Sequence, residues 1–184
     1  MIEYGKFNSV GVDSKWGGKQ VDAKQLCELI LHIVSRAEEL GGYTTTIRLA
    51  KYLYLIDLEH QRCYGSPLTG LNWVYHHYGP YAFELPGICA DIGFDLQREE
   101  FVSSKGHSGR FLRSWGDRGF LAELSHGIEV IVSGLLGVWA DVETDLLLPY
   151  VYDTEPMRQA QQGDELDFSV VPPGTRYYEL YSHP

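Results

Sequence analysis

The sequence predicts a mainly α-helical chain with a small antiparallel β-sheet, an α+β class. Three observations carry this. Apolar residues recur at spacings of three and four over residues 26–37, one face of an amphipathic helix. Residues 49–58 are apolar nearly all round, the mark of a helix buried on every side. Two runs, 96–102 and 110–115, flank a Ser/Gly-rich turn and read as a β-hairpin.

Taken in order, residues 1–20 are rich in glycine and polar residues, carry no period, and read as a loosely held arm. Asp22 is placed to cap the first helix, whose buried face is Leu26, Leu29, Ile30, Ile33, Val34 and Ala37. Gly41-Gly42 stops it, because glycine accepts the left-handed conformation that follows many helix ends. Thr44-Thr45-Thr46 offers caps for the central helix over residues 47–63, and Gly65-Ser66-Pro67 ends it. Residues 71–78 form a short strand that Gly79-Pro80 breaks, and residues 81–92 a short helix with Pro86 near its start. The hairpin follows, with a flexible tip at residues 103–106. Helical pattern returns over residues 121–139 and from an Asp141 cap to about Tyr152, where Pro149 kinks or restarts the last part. This order gives a helical core with a winged-helix-like hairpin. Residues 21–168 form the domain, and 169–184 a partly docked tail with Tyr177, Tyr178 and Tyr181.

Alternation along residues 71–78 sets Asn72, Val74, His76 and Tyr78 against Leu71, Trp73, Tyr75 and His77. The larger apolar area of Trp73 and Tyr75 assigns the second set to the core. His76, Tyr78, Gly79, Pro80 and Tyr81 then remain as the partner-binding surface.

The chain has 184 residues, 15 Lys+Arg against 25 Asp+Glu, and a net charge of −10. That length suits one domain able to bury roughly 70% of its unfolded surface. The acidity argues against coating nucleic acid, which needs clustered Lys/Arg, and suits a basic partner. Cys27, Cys63 and Cys89 are widely spaced and make no metal-binding pair. The N-terminus lacks a basic region followed by an apolar stretch, and the longest apolar run, 130–140, falls far short of the ~20 residues of a membrane span. The expectation is a cytoplasmic protein that contacts no membrane.

Enzyme chemistry finds little to use. Adjacent His76 and His77 on a strand point to opposite faces, and Asp57 with His60 lacks a third ligand, so neither metal nor other cofactor is expected. Ser125-His126 and His107-Ser108 are neighbours in sequence, but there is no G-x-S-x-G elbow and no G-x-x-x-x-G-K-S/T phosphate loop. Carboxylate pairs such as Glu38-Glu39 and Glu99-Glu100 read as solvated. The chain is therefore read as a binding protein and not an enzyme. Two alternatives come from other classes. A winged-helix DNA-binding regulator is opposed by a central helix with only Arg48, Lys51 and Arg62 against Asp57 and Glu59. A metal-dependent hydrolase acting through His76, His77 and Asp57 is testable by measuring bound zinc or manganese.

Several blocks in order carry a family resemblance. The helix Lys51-Tyr-Leu-Tyr54-Leu-Ile-Asp57-Leu-Glu59-His60 precedes a turn, Gly65-Ser-Pro67-Leu-Thr69-Gly70, and a strand ending in Tyr78-Gly79-Pro80. A further block runs through Tyr152-Asp153-Thr154-Glu155-Pro156-Met157 to Leu166-Asp167-Phe168. Together they resemble the Panacea-domain family, formerly a domain of unknown function related to phage-associated proteins, over residues 26–168. Ala50 departs from the polar residue many relatives carry before Lys51. The resemblance makes Lys51, Tyr54, Asp57, Glu59, Pro67, Thr69, Gly70, Thr154, Pro156 and Met157 the structural signature. It implies an antitoxin of a toxin–antitoxin or bacterial defence system. Such a protein neutralises a cognate toxin by direct binding, and one relative is a proteolytic adaptor that delivers its toxin to a protease.

Overall fold

The computed structural model describes residues 20–92, 96–102, 108–114 and 124–174. Most of the N-terminal arm, the hairpin tip and the tyrosines of the tail lie outside the described residues.

The first helix, α1 (Ala23–Glu39), starts in a capping box. The Asp22 carboxylate accepts from the Gln25 N–H at 2.8 Å, and the Gln25 side chain accepts from the Asp22 N–H at 3.0 Å. The strand β1 (Thr44–Thr45) leads into α2 (Thr46–Tyr64), whose N-cap Thr45 accepts from the Arg48 N–H and whose end is turned by Gly65 at φ 78°. Both helices thus stand where the periodicity and caps place them. α2 is the centre of the molecule: Leu49, Ala50, Leu53, Leu55, Ile56 and Leu58 are fully buried, and the helix packs on α1, α3, α4, α5, β3 and β5.

After α2 come β2 (Val74–His76), β3 (Gly79–Tyr81), α3 (Leu85–Asp91), β4 (Leu96–Val102), β5 (Ser108–Ser114), α4 (His126–Trp139), α5 (Thr144–Tyr152) and α6 (Glu155–Gln159). A 3₁₀ turn follows at Phe168–Val170. Among the described residues there are two antiparallel sheets, of order β1-β5-β4 and β2-β3. The fold is mainly α with small antiparallel sheets, as the residues predict. The β4-β5 hairpin pairs Leu96 with Ser114 through to Val102 with Ser108.

Four local expectations are corrected. Gly79-Pro80 does not end the strand but begins a second one, so residues 74–81 form a hairpin whose register pairs His76 with Gly79. Its two-residue turn is His77-Tyr78, and the left-handed step falls on Gly79 at φ 83°. Strict alternation therefore stops at His76, and His77 lies exposed in the turn instead of facing the core. α5 begins after Glu143, not Asp141, and continues through Pro149 to Tyr152. The short helix α6, with Pro156 in its first turn, was not expected from periodicity because five residues are too few to show one.

Beyond α6 the chain returns to the body. Leu166, Phe168 and Val171 are buried, and the Gly174 N–H donates to the Arg62 carbonyl at 3.1 Å. No helix among the described residues is long and apolar enough to cross a membrane.

Candidate binding surface

The signature residues form a buried polar frame on α2. Asp57 is fully buried and accepts four hydrogen bonds: from the Leu68 and Thr69 N–H groups at 2.8 and 2.7 Å, the Thr69 hydroxyl at 2.5 Å and the Trp73 indole at 2.8 Å. One carboxylate thus fixes the Pro67–Gly70 turn and the entry to β2. Burial pushes its pKa up to about 6 against these donors, which pull it down. Pro67 is half-buried, and Gly70 takes φ 67° to leave the turn.

Six residues earlier, Lys51 is also fully buried, and its ammonium donates to the Pro80 carbonyl at 2.8 Å. Burial lowers its pKa to about 7. The hairpin is thereby tied to α2 from below. Tyr54 reaches in a different direction, sharing a 2.6 Å hydrogen bond with Thr154, whose hydroxyl donates to the Val151 carbonyl. Arg62 pairs with Glu59 one turn back and with Glu155 of α6 at 2.7 Å, while His60 Nδ1 bonds the Ser66 carbonyl at 2.6 Å. Pro156 and Met157 are buried against the body. All ten signature positions thus serve the frame or flank it, and the two separated sequence blocks meet at α2, α5 and α6.

What this frame holds up is aromatic. Val74 pairs with Tyr81, and the far edge of β2 is occupied by residues 163–166, which exchange hydrogen bonds with Trp73 and Tyr75. Trp73 is buried as expected, and Tyr75 is half-buried against Tyr152 at 5.8 Å between ring centroids. His76, Tyr81 and Phe83 lie in mutual contact, with centroid separations of 5.7, 5.7 and 5.6 Å. Tyr78 is 61% and Phe83 63% exposed, so this corner offers large apolar rings to solvent. Of the five residues expected at a partner surface, His76, Tyr78 and Tyr81 keep accessible area. Gly79 and Pro80 are buried beneath them and fix their placement.

Residues 49–105 match the family model for the antitoxin SocA-like, Panacea domain. The matched segment contains most of α2, the β2-β3 hairpin, α3 and β4, and so includes the α2 side of the frame and the aromatic corner, whereas Thr154, Glu155, Pro156 and Met157 lie outside it. The resemblance read from the blocks over residues 26–168 is matched by the family model over 49–105. No curated protein and no solved structure gives a significant match to the chain.

Two further residues were not singled out from the sequence as structural anchors. Arg48 is fully buried, and its guanidinium donates to the Trp139, Ala140 and Val142 carbonyls at 2.5, 2.9 and 2.5 Å. It also donates to the Tyr52 hydroxyl at 2.5 Å and lies 4.4 Å from the Tyr43 ring centre. A lone arginine among apolar residues in a helix's first turn was the available signal. Phe83 lay inside a segment read as helix, and its exposure could not be told from pattern. Asp57, His76 and His77 do not converge on a metal: among the described residues no group of three His, Cys, Asp or Glu could hold one.

Proposed function

We propose that this protein neutralises a toxic partner protein by binding it directly, and that His76, Tyr78 and Tyr81, together with Phe83, form the contact. The observation that carries the reading is the exposed aromatic corner of the Panacea segment, seated on a frame of buried hydrogen bonds. Rigid aromatic anchors lose little side-chain entropy on association, which is why Tyr and Trp dominate the energetics of protein interfaces. Gly79 and Pro80 support them, since a tied-down hairpin presents its rings in one geometry. The net charge of −10 favours a basic toxin. The frame residues spend their polar atoms on hydrogen bonds that hold the hairpin and α6 to α2, which supports a binding role.

Co-expression with the product of the neighbouring gene tests this. Restored growth with co-purification of the two proteins is the expected result. Rescue without any complex overturns direct binding. Disappearance of the partner in cells containing proteases, with a stable complex in their absence, identifies the adaptor mode of the same binding.

A further inference from the structure

We infer that the rings of His76, Tyr81 and Phe83 form a seat for a cationic side chain, an arginine or lysine of the partner; this rests on the direct-binding reading above. Ring faces attract cations within ~6 Å of their centroids through the quadrupole of the π system, and the attraction grows as water is excluded. The three centroids form a nearly equilateral triangle with sides of 5.6 to 5.7 Å. A charge resting on the open side of so small a triangle is within that reach of all three rings. Phe83 stands at 90° to His76 and 79° to Tyr81, so the three rings wall the corner in different planes.

The segments that build and flank the hairpin carry acidic residues. Residues 71–92 contain Glu84 and Asp91 and no Lys or Arg. Residues 159–174, whose stretch 163–166 runs along β2, contain Asp164, Glu165 and Asp167 and no Lys or Arg. Asp164 and Glu165 are exposed, whereas Glu84 is half-buried and accepts from the Asn72 N–H at 2.8 Å. The amino group beneath the hairpin, that of Lys51, is fully buried and spends a donor on the Pro80 carbonyl. Exposed rings in an acidic surround select a basic side chain over an apolar or acidic one.

The test uses the full chain and an octa-arginine peptide, with octa-lysine beside it, followed by NMR titration at low and moderate salt. The expected result is that the ring resonances of His76, Tyr81 and Phe83 shift on binding. Phe83→Leu, which keeps apolar bulk but removes the π face, is expected to weaken binding about threefold or more, and Phe83→Tyr to restore it. Phe83 is exposed, so the variants retain the native spectrum as their folding control. Undisturbed rings, or a Phe83→Leu protein that binds the peptide as well as the parent, overturns the cation seat. Neither result bears on growth rescue by the parent chain, so failure of the seat is told apart from failure of direct binding.

Discussion

At Asp57 four donors converge on one carboxyl group, and nothing of that group reaches solvent. Asp57→Asn turns one acceptor into an NH₂ that faces donors, so it leaves buried N–H groups without partners. The expected cost is about 2–4 kcal/mol in denaturant-induced unfolding, from unsatisfied buried polar groups. Lys51 supplies a pH signature. Its folded pKa of about 7 lies below the unfolded value of about 10.4, so between those values the folded state binds fewer protons. Stability from this group therefore rises as pH increases from about 7 towards 10, and Lys51→Met removes that rise. Unfolding midpoints of both proteins at pH 7 and 9.5 check it, and an unchanged difference between them would refute a lysine neutralised by burial. The sequence made these residues visible as a motif but not as a frame. Asp57 and Thr69, or Tyr54 and Thr154, are joined through space, and no periodicity encodes which acceptor meets which donor.

The elements themselves were more legible, wherever local chemistry decides the outcome. Asp22 with Gln25, Thr45 and Gly65 are caps whose side chain or backbone freedom acts within one turn, so α1 and α2 end where the residues say. The β2-β3 hairpin departs from its sequence pattern for the opposite reason. Gly79-Pro80 looks like a break, yet Gly79 supplies the left-handed step of a tight turn, and Pro80, which lacks an N–H, contributes its carbonyl to Lys51. Two variants probe the element scale. Leu53 is fully buried in α2, and Leu53→Ala is expected to cost about 2–5 kcal/mol through lost transfer energy and a cavity. Arg48 satisfies carbonyls at the end of α4, where a cation is also favoured by the helix dipole. Arg48→Met keeps much of the bulk but orphans those carbonyls, with an expected loss of about 2–4 kcal/mol by calorimetry. A loss below ~1 kcal/mol in either variant would mean that the residue does not anchor α2 as described.

For the molecule as a whole, the arrangement divides labour between a buried frame and an exposed corner. Substitutions in the frame are expected to lower stability and to weaken binding only as the fold is lost. Substitutions in the corner are expected to do the reverse, because His76, Tyr81 and Phe83 contact one another at the surface while the hydrogen bonds beneath them are made by other residues. That division was partly readable in advance. The choice of His76 came from the greater apolar area of Trp73 and Tyr75, and Tyr81 followed as the aromatic after Gly79-Pro80, whereas Phe83 joins them because β3 leads the chain back past β2. The most direct test is binding to the co-purified partner and thermal unfolding, measured on the same preparations of His76→Ala and Tyr81→Ala. At least tenfold weaker binding, equivalent to ~1.4 kcal/mol, with melting temperatures within a few degrees of the parent is the expected result. Parental affinity in both variants, or loss of folding in both, would contradict the assignment of this corner as the partner-binding surface.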